Sequence, residues 1–205
     1  MSTVPLQFSS ALTDEDRARA DCYALLARLY FDAPDQALLA AVAASPPIAA
    51  EAAPEIVAAW DALQKACAGA DAGVIAFEFA TVFIGTGKAL VSPYCSYYVD
   101  ASARDRFLVR LRDTLHALGL ARTGNAGVYE DHVAGLCETM RHLVLQGSDV
   151  AALQQQKSLF INYIQHSYEA FSCNVEACPE AVFYAHVARF SRAFWDIEKE
   201  SLSMV

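Results

Sequence analysis

The sequence predicts an all-α fold, a single globular domain over residues 1–205 with about eight to eleven helices. Alanine is abundant and runs of β-branched residues are scarce, which favours helix over strand. The few glycines and prolines cluster between stretches in which apolar residues recur every three or four positions. No segment shows the apolar–polar alternation that is typical of a half-buried strand.

Four helices are predicted in the N-terminal half of the chain. Thr13 can cap the first helix, and the acidic residues after it lie at the positive end of the helix dipole. Pro34 ends this helix. Two more helices cover residues 35–44 and 50–68. A fourth, capped by Asp71, is expected to stop near Gly85.

Four further helices are predicted in the C-terminal half, after a non-helical loop around Pro93. Their apolar residues follow a helical period, and glycine or a proline-containing segment separates most of them. The predicted ranges are 102–118, 130–146, 149–171 and 180–200. The glycine-rich stretch 119–129 is predicted to be a hinge between an N-terminal and a C-terminal lobe.

Charge and targeting signals exclude several classes of protein. The formal net charge of −9 disfavours nucleic acid as a partner, because an acidic surface repels phosphates. No run approaches the length of a membrane-spanning helix, and the N-terminus lacks a secretory signal, so we expect a cytoplasmic protein with no membrane insertion. The six cysteines show no metal-ligand spacing and are expected to be thiols.

Known catalytic patterns are absent from the sequence. A di-iron bundle needs Glu-x-x-His pairs, but Glu138 and His142 are four positions apart. The run from Gly85 to Lys88 lacks the spacing of a phosphate loop. Cys95 could be a reactive thiol, although a tolerated small residue is the simpler interpretation. We therefore predict no catalytic residue, no cofactor and no metal. A helical enzyme whose side chains converge only in three dimensions stays open.

Two segments stand out as candidates for binding. Residues 78–98, EFATVFIGTGKALVSPYCSYY, run from an aromatic helix into a loop with three tyrosines. Rigid amphipathic rings in a loop make good anchors for a partner. The second segment is Glu130-Asp131-His132, at the start of the helix VAGLCETMRHLV. A helix cap explains Asp131 fully, but it leaves His132 without a stated partner.

Together the two segments resemble the motifs of the TorD/DmsD/NarJ-like chaperones, which mature redox enzymes. In that family a helix with Glu and aromatic residues leads to a glycine-containing loop and then Pro-Tyr-x-Ser-x-Tyr, matched here by residues 93–98. An Asp-His pair at a helix start is matched by residues 131–132. Cys95 stands where the family often has Glu. This difference concerns which client is bound more than whether the chain resembles the family.

The resemblance implies a cytoplasmic, system-specific chaperone without catalytic turnover. Its partner would be the precursor of a molybdopterin-containing oxidoreductase, bound through its twin-arginine leader, its apoprotein or both, until the cofactor is inserted before export or assembly. Some members exchange lobes, so a monomer or a lobe-swapped dimer is expected. The implied peptide-binding residues are Glu78, Phe79, Phe83, Pro93, Tyr94, Ser96, Tyr97, Asp131 and His132. A small-molecule-binding helical regulator is the main alternative, although no basic DNA-reading helix-turn-helix is visible.

Overall fold

The computed structural model describes residues 12–49, 53–85, 87–120 and 129–205. These residues form nine α-helices and no strand, which confirms the all-α prediction. The helices are α1 (Asp14–Phe31), α2 (Gln36–Ala43), α3 (Pro54–Ala68), α4 (Ala72–Phe79), α5 (Arg104–Ala117), α6 (Val133–Gln146), α7 (Val150–Leu159), α8 (Tyr168–Glu176) and α9 (Val182–Ser203). π-helical turns follow α4 and α7, at Ala80–Ile84 and Phe160–Ile164, and 3-10 turns lie at Cys95–Tyr98 and Ala101–Ala103.

Side-chain caps set the start of several helices, as their sequences predict. The Thr13 hydroxyl accepts a hydrogen bond from the backbone N–H of Asp16 at 3.0 Å, and the Asp16 carboxylate accepts one from the Thr13 N–H, forming a capping box. Asp71 and Asp149 each accept a hydrogen bond from an N–H of the first turn that follows them. The three predicted helix starts at these positions are confirmed.

The prediction of one continuous helix over residues 149–171 is wrong. α7 ends at Leu159, and in the π turn the N–H of Gln165 reaches back five residues to the carbonyl of Phe160, at 2.9 Å. The buried Ser167 hydroxyl then donates to the carbonyl of Ile164, which competes with continued helix formation. α8 starts after this break, at Tyr168, and continues to Glu176, beyond the predicted end of the helix at residue 171.

The core is built around α1 and α9, the two longest helices of the described residues. α6 packs along α1, and α9 packs against α1, α3, α4, α7 and α8. In this core, Tyr30 of α1 forms edge-on ring contacts with Phe83 and Phe171, with ring centroids 6.0 and 5.1 Å apart. An ion pair joins the partly buried Arg19 to the buried Glu198 at 2.6 Å and ties the start of α1 to the end of α9. This packing fixes the position of α4, which carries much of the candidate site.

The predicted hinge falls mostly on residues that the structure does not describe. Gly119 ends α5 with a φ of 71°, a conformation that favours glycine. Residues 121–128 lie outside the described ranges. The hinge between two lobes therefore stays a prediction.

No single helix in the described part of the chain is long and apolar enough to cross a membrane. The consecutive helical segments Pro54–Ala68 and Ala72–Ile84 together have that length and apolar composition, but the chain bends by 117° between them.

Candidate functional site

A sharp reversal of the chain after α4 creates one wall of the candidate site. Gly85 has a φ of 66°, and a Cβ at this position would overlap the carbonyl oxygen of Lys88. Its N–H donates to the carbonyl of Ala80 at 2.7 Å, which closes the π turn. The chain then returns beside the helix end, where the N–H of Val91 donates to the carbonyl of Val82 at 3.0 Å. Only glycine fits this turn without strain.

The tyrosine loop and the Asp-His segment form one hydrogen-bonded unit. An isolated antiparallel bridge pairs Tyr94 with His132. In it, the N–H of Cys95 donates to the carbonyl of Asp131 and the N–H of Val133 donates to the carbonyl of Pro93, both at 2.9 Å. The structure thus brings together the two segments that the sequence singled out separately.

Asp131 does not cap α6, contrary to the simplest interpretation of the sequence. Its side chain is 2% exposed, and its Oδ2 accepts a hydrogen bond from the N–H of Ser96 at 3.0 Å. Ser96 lies in the first turn of the 3-10 helix Cys95–Tyr98, whose free N–H groups favour a carboxylate. Asp131 therefore fastens the tyrosine loop to the start of α6.

His132 is the residue that caps α6. Its Nδ1 accepts a hydrogen bond from the N–H of Ala134 at 3.2 Å, which places the proton of the neutral ring on Nε2. Its ring meets the Tyr94 ring edge-on, with centroids 5.1 Å apart. Burial lowers the pKa of His132 to about 4, so the ring is neutral near pH 7. The N–H of Ala134 and the Tyr94 ring are thus the partners of His132 that the sequence left unidentified.

A groove of about 620 Å³ opens between these elements, and we call it the aromatic groove. Six of the nine residues that the resemblance implied line it, and Glu78, Ser96 and Asp131 do not. The full lining is Phe31, Phe79, Phe83, Ile84, Gly87, Lys88, Ala89, Leu90, Ser92, Pro93, Tyr94, Tyr97 and His132. Lys88 is the one charged side chain among these described lining residues.

The aromatic groove has a packed floor and an exposed apolar rim. Phe79 and Phe83 are buried, and their rings contact Tyr184 of α9 with centroids 5.7 and 5.0 Å apart. Tyr97 is 47% exposed. Three exposed rim residues, which sequence reasoning missed as site residues, are Phe31, Ile84 and Leu90. Ile84 and Leu90 flank the glycine turn, and that position was the signal that could have identified them.

Glu78 serves a neighbouring helix. Its carboxylate is buried and accepts hydrogen bonds from the N–H groups of Phe183 and Tyr184, at 3.0 and 2.7 Å. Ala181, at the N-cap position of α9, has no side-chain acceptor of its own. Glu78 therefore satisfies two N–H groups that the helix start leaves free. This contact fixes the end of α4 beneath the groove.

Cys95 lies inside the protein. Its side chain is buried, and burial raises the pKa of its thiol to about 12, so it is protonated at neutral pH. The exposed, reactive thiol that the sequence left open at this position is not what the structure shows. Among the described residues, no three His, Cys, Asp or Glu side chains converge in a way that could hold a metal ion.

The comparisons with known proteins give one match. A family model described as nitrate reductase delta subunit matches residues 49–171, more than half of the chain. The matched residues include both segments of the hydrogen-bonded unit and most of the groove lining. No match was found among curated proteins or among solved structures.

Proposed function

The chain belongs to the nitrate reductase delta subunit family of redox-enzyme maturation chaperones, and we propose that it binds the precursor of a molybdopterin-containing oxidoreductase. The family consists of chaperones, not enzymes, and partners a molybdoenzyme subunit. In our proposal the protein works in the cytoplasm and recognises the twin-arginine leader, the apoprotein or both. It assists cofactor insertion before export or assembly.

The aromatic groove is the observation that carries this proposal. Its floor is buried aromatic surface, and its rim exposes Ile84, Leu90 and Tyr97 by 62, 55 and 47%. Exposed apolar side chains arranged around a cleft are typical of a surface that another chain covers. An apolar helical segment lays its side chains into such a groove. The hydrophobic part of a leader peptide has this character.

The net charge of the protein attracts the basic part of a leader, but this attraction does not come from the lining of the aromatic groove. The lining of the aromatic groove offers Lys88 and no carboxylate among its described residues. The net charge of −9 instead acts over the whole surface and accelerates the approach of a cationic peptide. We therefore assign the apolar part of the leader to this groove, and assign only steering to the overall charge.

The buried polar residues near the groove have structural roles, which supports a binding function for this site. Glu78, Asp131 and His132 use their side chains to hold α4, the tyrosine loop and α6 in place. Such a rigid frame reduces the entropy lost when a flexible peptide is bound. The hinge at residues 119–129 remains part of the proposal, since it would let a lobe-swapped dimer form beside the monomer.

The experiment compares groove variants with a matched surface control. The tagged chain is expressed in its source cells under anaerobic growth, and captured proteins are identified by mass spectrometry. We expect recovery of a molybdoenzyme precursor with its leader attached. Leu90→Ala with Tyr97→Ala should reduce that recovery about tenfold, because about 1.4 kcal/mol of apolar contact is lost. Leu145→Ala, which removes an exposed leucine of α6 outside this lining, should leave recovery unchanged.

Thermal melts separate binding from folding in the same variants. Leu90 and Tyr97 are about half exposed, so their loss should lower the melting temperature little. A large fall in melting temperature would mean that the Tyr97 ring is part of the core. Undiminished recovery of the precursor by the double variant would show that the aromatic groove is not the binding site.

A further inference from the structure

A second groove lies on the other side of α4, and we call it the α4–α9 groove. It has a volume of about 670 Å³ and is formed by the end of α3, by α4 and by the start of α9. α4 directs Val74 and Phe77 towards it and the following π turn adds Thr81, whereas Phe79 lines the aromatic groove. The two grooves are therefore separate surfaces that share one helix.

The α4–α9 groove gathers three of the most exposed apolar side chains of the described chain. Phe77 is 76% exposed, Val182 is 71% exposed and Val74 is 66% exposed. Single exposed apolar residues are ordinary, but three in one concave surface indicate an interaction site. An exposed phenylalanine next to small alanine and glycine positions is a typical anchor for a partner segment.

The charges around the α4–α9 groove have one sign. Asp71, Glu78 and Glu180 line it, and no lysine or arginine does so among its described residues. Asp71 and Glu78 already accept backbone N–H groups. Glu180 is exposed, and the hydrogen bond it accepts comes from the Cys178 thiol at 3.3 Å. Glu180 is therefore the carboxylate available to a cation from outside.

One polar atom in the same lining is unsatisfied. His186 contributes to the groove, and its Nδ1 is shielded from solvent without a hydrogen-bond partner in the described part of the chain. A buried polar atom without a partner costs free energy, so this nitrogen is an unfavourable feature of the groove wall as it stands. The lining thus combines apolar anchors, an exposed carboxylate and an unsatisfied ring nitrogen.

We propose that the α4–α9 groove docks a short segment of a partner protein in which arginine or lysine stands beside apolar residues. The apolar side chains would cover Phe77 and Val182, and the cation would pair with Glu180. A second copy of this chain fits less well, because the chain carries a net charge of −9 and would bring further acid to an acidic groove. This site does not depend on whether the aromatic groove binds a leader.

Two synthetic peptides test the proposal with the full chain. Both are fluorescently labelled and leucine-rich; one carries arginines and the other has glutamate at each arginine position. Fluorescence anisotropy should show binding of the arginine peptide alone, with an affinity that falls as salt is added. Val182→Ser and Glu180→Lys should each weaken binding about fivefold or more, because one loses apolar contact and the other reverses the charge.

The matched control for the first substitution is Val150→Ser. Val150 is the first residue of α7 and is 76% exposed, as Val182 is the first residue of α9 and is 71% exposed. This control should bind the arginine peptide as the unchanged protein does. Circular dichroism melts of all three variants should coincide, because none of the changed side chains is buried. If Val182→Ser melts early, Glu180→Lys carries the test.

Three outcomes would overturn the proposal. The first is equal binding of both peptides, or binding of neither. The second is a loss of binding in Tyr97→Ala with full binding in Val182→Ser, which would place the peptide in the aromatic groove. The third is a dimer by light scattering that Val182→Ser dissociates, since a second copy would then cover this surface. None of these three outcomes depends on capture of a molybdoenzyme precursor. The proposed function can therefore fail or hold independently of this proposal.

Discussion

Replacing Glu78 with alanine removes a buried carboxylate that holds the start of α9. The two hydrogen bonds it accepts, at 3.0 and 2.7 Å from the N–H groups of Phe183 and Tyr184, have no substitute from Ala181. A hydrogen bond to a charged group contributes about 1.5–3 kcal/mol, and unsatisfied buried N–H groups add to the loss. Because the two bonds share one carboxylate, we expect Glu78→Ala to lower the free energy of unfolding by about 3 kcal/mol.

Urea denaturation followed by circular dichroism measures this loss. Glu78→Gln keeps one acceptor oxygen but sets an amide against the second N–H, so it should lose about half as much. Glu138→Ala is the control: that side chain is exposed and pairs with Arg141 at 3.5 Å, and its loss should change stability by less than about 0.5 kcal/mol. If Glu78→Ala unfolded at the same urea concentration as the unchanged protein yet no longer captured its client, Glu78 would be a contact residue and the capping argument would be refuted.

Two further predictions concern His132 and the thiols. Burial lowers the pKa of His132 from 6.5 to about 4. The contribution of this residue to the free energy of unfolding is therefore complete above pH 6.5 and is lost as the pH falls towards 4, by up to about 3 kcal/mol. His132→Asn, which keeps a capping acceptor, should remove this pH dependence in urea titrations, and an unchanged profile would contradict it. Iodoacetamide at mildly alkaline pH should label the exposed Cys173 and spare Cys95 until the protein is denatured; peptide mass spectrometry checks this, and equal labelling would refute the burial argument.

Helix starts were predictable because their signals are local. Thr13, Asp71 and Asp149 each accept a hydrogen bond from an N–H three residues further along the chain. Such a bond involves residues that any short window of the sequence contains. The positive φ required at Gly85 is equally local, so the end of the helix near that residue was also predictable.

The features that the sequence did not indicate leave no signal in the local spacing or in the apolar pattern. Glu78 caps a helix that begins more than a hundred residues later, and no periodicity in α4 indicates this. His132, and not Asp131, caps α6, because Ser96 offers the Asp131 carboxylate a free N–H from another turn. The break after Ile164 is invisible to an apolar pattern, since a π turn adds one residue and lets the apolar face continue.

The motif shared with the chaperone family marks a structural unit first and a set of contact residues second. Asp131 fastens the tyrosine loop, His132 caps the helix on which the loop rests, and Glu78 secures the helix that forms the floor. Substituting any of these three would weaken binding by displacing the groove, whether or not a partner touches them. Tyr97 and Leu90 are exposed on the rim, so their substitution tests contact with much less effect on the frame. A loss of client binding therefore identifies a contact residue only where stability is retained, which makes the rim residues the informative ones.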